Sequence, residues 1–330
     1  MKTENIQLTT SEVAALWSTY IQNSVTRCFY KHFLQHLKDP EIKPLIKEAL
    51  SLNESFMKQV EKILQKENFP VPKGFTDEDV NLSAPALFTD IFALSFLYRS
   101  GQVVTIFYAT AIGKVARQDI SAFFEDCLFK RTKLYKTSLD LMLSKGVYDR
   151  PPKINYPKSI EFIEHQPSLL KTWLGEGRPL DVLELGEIFF VVERNCIGLN
   201  LLMGLIQVTN DKEVKEYLIK GKKLSKRQIK TFNEILEEND SMPSFPVEME
   251  VTDSTDSPFS ERLIMFFIST SNQIGFTTLS YGMSVSMRKD LAVHYSTTIA
   301  EVLKYSAEGL EIMIHRGWME QPPLSPNRKK

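Results

Sequence analysis

Histidines and carboxylates three or four residues apart on one helical face are the side chains best able to hold a metal ion, and this chain of 330 residues has five histidines. His32 and His36 have the i,i+4 spacing of a two-histidine metal face. His32 sits two residues from Leu34, however, about 200° round a helix from the apolar stripe, so a solvated pair is expected. A carboxylate-bridged di-iron centre needs a Glu from each of two helices and Glu-x-x-His on the other two, because that spacing aims both ligands inward. The sequence contains no Glu-x-x-His. Its nearest approximations, Glu161-x3-His165 and Glu311-x3-His315, fall in a linker and at a helix end. Glu12, Asp90, Glu184 and Glu261 remain as the candidate metal-ligating carboxylates. Cys28, Cys127 and Cys196 are widely spaced without a C-x-x-C, which argues against a zinc cluster or disulfide framework and for a reducing compartment. Each lies on an apolar stretch and is expected to be a small core residue. There is no G-x-S-x-G, Walker loop or dinucleotide fingerprint. No catalytic residue and no cofactor are predicted, and a metal ion is the alternative kept.

The elements that position these residues come from a sequence that repeats once. GVYDRPP, from Gly146 to Pro152, is echoed by GWMEQPP, from Gly317 to Pro323, at an offset of 171 residues. At that offset Arg117 and Asp119 fall on Arg288 and Asp290, and Asp90 falls on Glu261. At an offset of 172, Glu12 falls on Glu184 and Asn23 on Asn195. The chain thus divides into a first repeat over 1–152, a linker over 153–179 with a short helical candidate at SIEFIEH, a second repeat over 180–324 and a tail over 325–330. Leu185, Ile188, Val192, Cys196, Leu199 and Met203 recur at three- and four-residue steps, the stripe of an amphipathic helix. Start and stop signals give helices over about 9–38, 41–67, 85–114 and 117–145, then over about 181–210, 212–238, 258–286 and 288–316.

Connection lengths then choose the topology. The Asp39-Pro40 corner admits only an antiparallel hairpin, and helices three and four join as tightly. About 17 residues separate helices two and three, enough when extended to run the length of a bundle. Hairpin, long crossover, hairpin is the ferritin-like arrangement, which lays helices one and four parallel. The expected fold class is all-α: two tandem ferritin-like four-helix bundles related by the internal repeat.

Composition narrows the function classes. With 43% hydrophobic and 25% charged residues the chain can bury two cores. Forty Lys and Arg against 41 Asp and Glu leave a net charge of -1, without the one-signed field of a nucleic-acid or anionic-lipid binder. Residues 263–287 carry no charge, but their Ser, Thr and Asn groups suit burial among helices better than lipid. The first residues show no basic region followed by an apolar run. A cytoplasmic protein is expected, with neither nucleic acid nor membrane as partner.

The run SEVAALWSTYIQNSVTRCFYKHFL, the crossover FPVPKGFTDEDVNLSAPALFTD, the R-x-D at Arg117 and again at Arg288, and GWMEQPP together resemble the bacterial family called domain of unknown function 3231, found mainly in spore-forming bacteria. The resemblance covers essentially the whole chain. It implies two ferritin-like bundles in tandem and no established activity. It also implies a histidine in helix two of some relatives, near Phe56 and Gln228, where this sequence departs.

Polar residues kept in both repeats carry further expectations. Glu12 and Glu184 lie in the first turn of helix one, and Arg117 and Arg288 start helix four at the same end, so two equivalent structural ion pairs are predicted. Charge reversal at one partner should then be rescued by reversal at the other. Asp119 and Asp290 are placed at helix starts, where they accept from free N–H groups. Asn23 and Asn195 are the candidates for buried polar groups facing a cavity. The third helices have almost no polar side over 91–98 and 263–268, so they are expected to form a bundle–bundle interface through Phe92, Phe96, Phe266 and Phe267. These features suit a non-enzymatic structural or interaction protein with a link to sporulation. The alternative is a metal- or small-ligand-binding ferritin-like protein with vestigial oxidoreductase chemistry.

Overall fold

The computed structural model describes residues 6–162, 178–239 and 250–324, and among them it forms eight long α-helices and no strand. They are α1 (Thr10–His36), α2 (Ile42–Lys66), α3 (Asp90–Ile112) and α4 (Gln118–Ser144) in the first repeat. The second repeat supplies α5 (Val182–Val208), α6 (Lys212–Glu237), α7 (Glu261–Val285) and α8 (Lys289–His315). Of the linker segment SIEFIEH, Ser159 to Phe162 form no helix, and the rest, with His165 and the tail over 325–330, lies outside the described residues.

Side-chain ties at the two ends of the first repeat show how its helices run. Glu12, in the first turn of α1, accepts backbone N–H bonds from Ala116 and Arg117 at the start of α4. At the opposite end, Asp90 at the start of α3 accepts from the N–H groups of Lys38 and Asp39, in the corner between α1 and α2. Lys145, just past α4, reaches Asp39 and Glu41 in that same corner. Helices α1 and α4 are therefore parallel, and the crossover between α2 and α3 runs the length of the bundle. It hugs α1: Gly74, at φ +61°, brings the backbone so close to Ser24 that a Cβ would lie 2.7 Å from its hydroxyl. Phe75 N–H donates to that hydroxyl at 3.0 Å.

Compactness does not divide the chain where the repeat does. One unit contains residues 1–148, 250–266 and 313–330, and the other contains 149–249 and 267–312. The first unit is joined by its two crossovers, which lie antiparallel with bridges between Val80 and Phe259 and between Phe88 and Val251. Asn81 N–H donates to Pro258 O, Ser260 N–H to Asp79 O, Thr252 N–H to Leu87 O and Thr89 N–H to Glu250 O. Side chains extend this clasp, with Ser260 Oγ donating to Asp79 at 2.7 Å and the Arg262 guanidinium 4.2 Å over the Phe75 ring. The clasp also explains why α3 starts at Asp90 and not near 85: Leu87 and Thr89 bond the second crossover, and the Thr89 hydroxyl caps the helix by accepting from Phe92 N–H.

In the other unit α6 and α8 approach through paired tyrosines. Tyr217 and Tyr305 stack with ring centroids 4.3 Å apart. The Tyr217 hydroxyl fills the space beside Gly309 and the Tyr305 hydroxyl the space beside Gly221, so each helix supplies both a ring and a socket.

The clasp overturns the expected solvated histidine pair. His32 is 1% exposed, because the second crossover covers the helix face that an isolated bundle would leave open: its ring lies 5.4 Å from Phe259 and its Nε2 accepts from Leu87 N–H. Burial, with the His36 ring as a lesser cause, pushes His32 down to about 4, and burial pushes the Glu250 carboxyl up to about 7. The two act in opposite directions. Between the unfolded value near 6.5 and the folded value near 4, lowering the pH protonates His32 only in the unfolded chain and costs stability. Between 4.5 and about 7, raising the pH ionises Glu250 only in the unfolded chain and also costs stability. Denaturation midpoints between about pH 5 and 6.5 should therefore rise toward acid in His32→Gln and fall toward acid in Glu250→Gln, each by up to about 1.4 kcal/mol per pH unit relative to the parent. Parallel profiles for the two variants would contradict the burial of both groups.

Candidate functional site

Two buried carboxylates organise corresponding corners of the repeats. In α1, Thr9 and Glu12 form a capping box, with Thr9 N–H donating to Glu12 Oε2 at 2.7 Å. The other oxygen of Glu12 accepts from Ala116 N–H at 3.1 Å and Arg117 N–H at 2.8 Å, so one carboxylate closes the N-termini of both α1 and α4. Burial alone would raise its pKa, but the N–H donors of Thr9, Arg117 and Ala116 and the Thr9 hydroxyl outweigh this and hold it below the usual range. The second repeat does the same: Glu184 completes a capping box with Asp181 and accepts from Met287 and Arg288 N–H, both at 3.0 Å.

The predicted ion pairs need correction accordingly. Glu12 meets Arg117, and Glu184 meets Arg288, through the arginine backbone and not the guanidinium. The Arg117 guanidinium binds Asp119 through both its Nε and Nη2 at 2.8 Å and reaches Glu67 at 2.7 Å. Arg288 binds Asp290 in the same two-pronged way and Asn239 at 2.7 Å, while Glu184 takes its counter-charge from Arg178 at 2.8 Å. An arginine at the N-cap turns its long side chain back over the first helical turn, where Asp119 or Asp290 stands two residues on. Both aspartates sit in first turns, where each takes two bonds from its arginine.

The centre of the first repeat holds a polar constellation of which the sequence analysis singled out Asn23 alone. Asn23, Asn53 and Arg131 lie at or next to the midpoints of α1, α2 and α4. Arg131 is 5% exposed; its Nη2 donates to Asn23 Oδ1 at 2.8 Å and to Asn53 Oδ1. Asn53 Nδ2 donates to Asn23 O and to the Thr26 hydroxyl, and Asn23 Nδ2 donates to Thr19 O and to the Tyr108 hydroxyl. The guanidinium also lies 5.4 Å from the Phe56 ring centroid. Asn23 was expected to face a cavity; it faces this arginine. The signal was present in α4, where Arg131 interrupts the core stripe of Ile120, Phe124, Cys127 and Leu134.

The second repeat does not rebuild this cluster. Val302 and Leu279, both buried, stand where the first repeat has Arg131 and Tyr108. Asn195 donates to Val191 O and to Gln228 Oε1 instead. Nor do the candidate metal carboxylates gather. Glu12 and Asp90 sit at opposite ends of helices about 35–40 Å long, and Glu184 and Glu261 fall in different compact units. Among the described residues no group of three or more His, Cys, Asp or Glu is placed to hold a metal ion. All three cysteines are buried and none forms a disulfide among the described residues; burial pushes the Cys28 thiol up to about 12 and raises that of Cys127 as well, which disfavours the reactive thiolate at both.

The family model for a protein of unknown function, DUF3231, matches residues 1–160 and again residues 168–330. The chain belongs to the DUF3231 family. Both matches follow the internal repeat, so the chain is a tandem of two family domains. The uncharacterized protein YvdQ of Bacillus subtilis is 27% identical over 158 residues, 45% of this chain and 92% of that protein, and so corresponds to one domain. A putative spore coat protein from Bacillus halodurans, of known structure, is 22% identical and aligns over 47% of this chain and 100% of its own, with a TM-score of 0.44.

Because Glu12 binds backbone groups, exchanging charges with Arg117 cannot restore the corner. Glu12→Ala should cost roughly 3 kcal/mol in denaturant unfolding, and Glu12→Gln, which keeps an acceptor, roughly half as much. The Glu12→Arg/Arg117→Glu double variant should be no more stable than the less stable single one. Recovery in the double variant would restore the side-chain ion pair in place of the backbone tie.

Proposed function

We propose that this protein is a non-enzymatic structural or interaction protein of the cytoplasm, linked to sporulation, binding neither nucleic acid nor membrane. The observation that carries this reading is the Arg131 cluster. The middle of a four-helix bundle is where ferritin-like proteins gather metal ligands, and in the first repeat that place is filled by a guanidinium, which has donors only and no lone pair to offer a metal ion. The polar groups around it bond one another and leave the cysteines, the repeated carboxylates and His32 to packing and capping. The sporulation link rests on family membership and the family's distribution. Cytoplasmic location and lack of nucleic-acid binding rest on the reducing cysteine usage and the balanced charge.

Elemental analysis of the full chain purified without a histidine tag checks the proposal. Less than about one-tenth of an equivalent of iron, manganese or zinc is expected; a stoichiometric amount would favour the metal-binding alternative. We further propose that α3 and α7 supply the bundle–bundle interface through Phe92, Phe96, Phe266 and Phe267. Support comes from their composition and from the packing of Phe266 against Phe75 of the first crossover, whereas Phe92 and Phe96 also pack on Phe33 of their own repeat. Separately expressed halves, 1–152 and 180–324, should then dimerise or aggregate, and a monomeric half would remove the assignment.

A further inference from the structure

Helix α8 carries two apolar stripes. One is the core stripe of Leu291, Tyr295, Val302, Tyr305 and Ile312, all buried. The other lies about 150° round the helix, where Ser296, Ala300, Leu303, Ala307, Leu310 and Ile314 follow one another at alternating steps of four and three residues, every one of them exposed. Leu303 is 55%, Leu310 42% and Ile314 61% exposed. Such a heptad seam, sustained through most of a 27-residue helix, has the form of a coiled-coil contact. It is peculiar to the second repeat. The corresponding residues of α4 include Glu125, Thr132 and Lys136, which break the seam.

The charges beside the seam say what fits it. On the α6 side, Glu301 and Glu308 are already engaged by Arg227 and Lys220. Lys304 and Glu311 are exposed along the seam's flank, and neither forms an ion pair among the described residues. Two such helices laid antiparallel about a two-fold axis can set Leu303 against Ile314 and Ala307 against Leu310 of the other copy. In that register Lys304 of each helix faces Glu311 of the other, twice. Sliding by one heptad to lengthen the overlap would set Lys304 against Lys304, and parallel pairing would set Lys304 against Ile299. The small Ala307 allows close approach of the two backbones. We propose that α8 is a self-association surface, on which a second copy of this chain docks antiparallel through Leu303, Leu310 and Ile314 with reciprocal Lys304–Glu311 pairs.

The seam is one helix wide, so the dimer should be weak and visible only at elevated concentration. Sedimentation equilibrium of the full chain should show a reversible monomer–dimer equilibrium from micromolar to submillimolar concentration. Leu303→Glu/Leu310→Glu should be monomeric throughout with unchanged helicity and melting temperature, since both side chains already face solvent. Lys304→Glu should weaken the dimer roughly tenfold, and Lys304→Glu/Glu311→Lys should restore it. A parent chain that is monomeric throughout, a dimer indifferent to the leucine replacements, or a charge swap that does not restore association would each overturn the proposal. None of these outcomes bears on metal content, so the proposed function stands or falls separately.

Discussion

A carboxylate buried where two helices begin is the constraint on which each repeat is built. A helix start leaves four N–H groups without partners, and two starts brought together would leave eight in a place where water is scarce. Glu12 and Glu184 each meet this by accepting from both helices at once. Once the first and fourth helices must begin at the same end, they are parallel. The second and third must then be connected along the length of the bundle. The long crossover, the clasp it makes with its counterpart and the burial of His32 follow from that requirement.

Much of this was legible in the sequence, because helical periodicity, capping residues and short corners are local signals. The Thr9-x-x-Glu12 box, the Asp39-Pro40 corner and the repeat offset locate α1, α2 and their counterparts to within two or three residues. What was not legible depends on contacts remote in sequence. His32 lies off the core stripe of its own bundle, and it is covered by Leu87 and Phe259, which are remote from it in sequence. Residue type pairs Glu12 with the Arg117 guanidinium, whereas the geometry of a helix start offers the backbone N–H. Arg131 stood in plain view at a core position of α4, yet an arginine there has meaning only when Asn23 and Asn53 are known to face it.

The two repeats have kept the same corners and changed their centres and outer faces. Both hold the buried glutamate and the two-pronged Arg–Asp contact. At mid-bundle one has a guanidinium among asparagines and the other valine and leucine. On the outside of the fourth helix one is charged and the other apolar. Divergence concentrated in the middle and on the surface, with the helix ends held fixed, is what is expected when the ends are needed to fold and the remainder is free to specialise.

The clasp between crossovers has a consequence for the order in which the chain is made. Asp79 and Ser260, which meet within it, are 181 residues apart. At a synthesis rate of roughly 5–20 residues per second, about ten to thirty-five seconds pass between the emergence of one and the other. Throughout that interval the first repeat lacks the strip of chain that covers Phe29 and His32. The nascent domain must wait with an apolar groove open, in the presence of other growing chains that carry the same crossover sequence. A second crossover borrowed from a neighbour would fill the groove as well as its own, so the topology carries a built-in route to exchange between chains during synthesis.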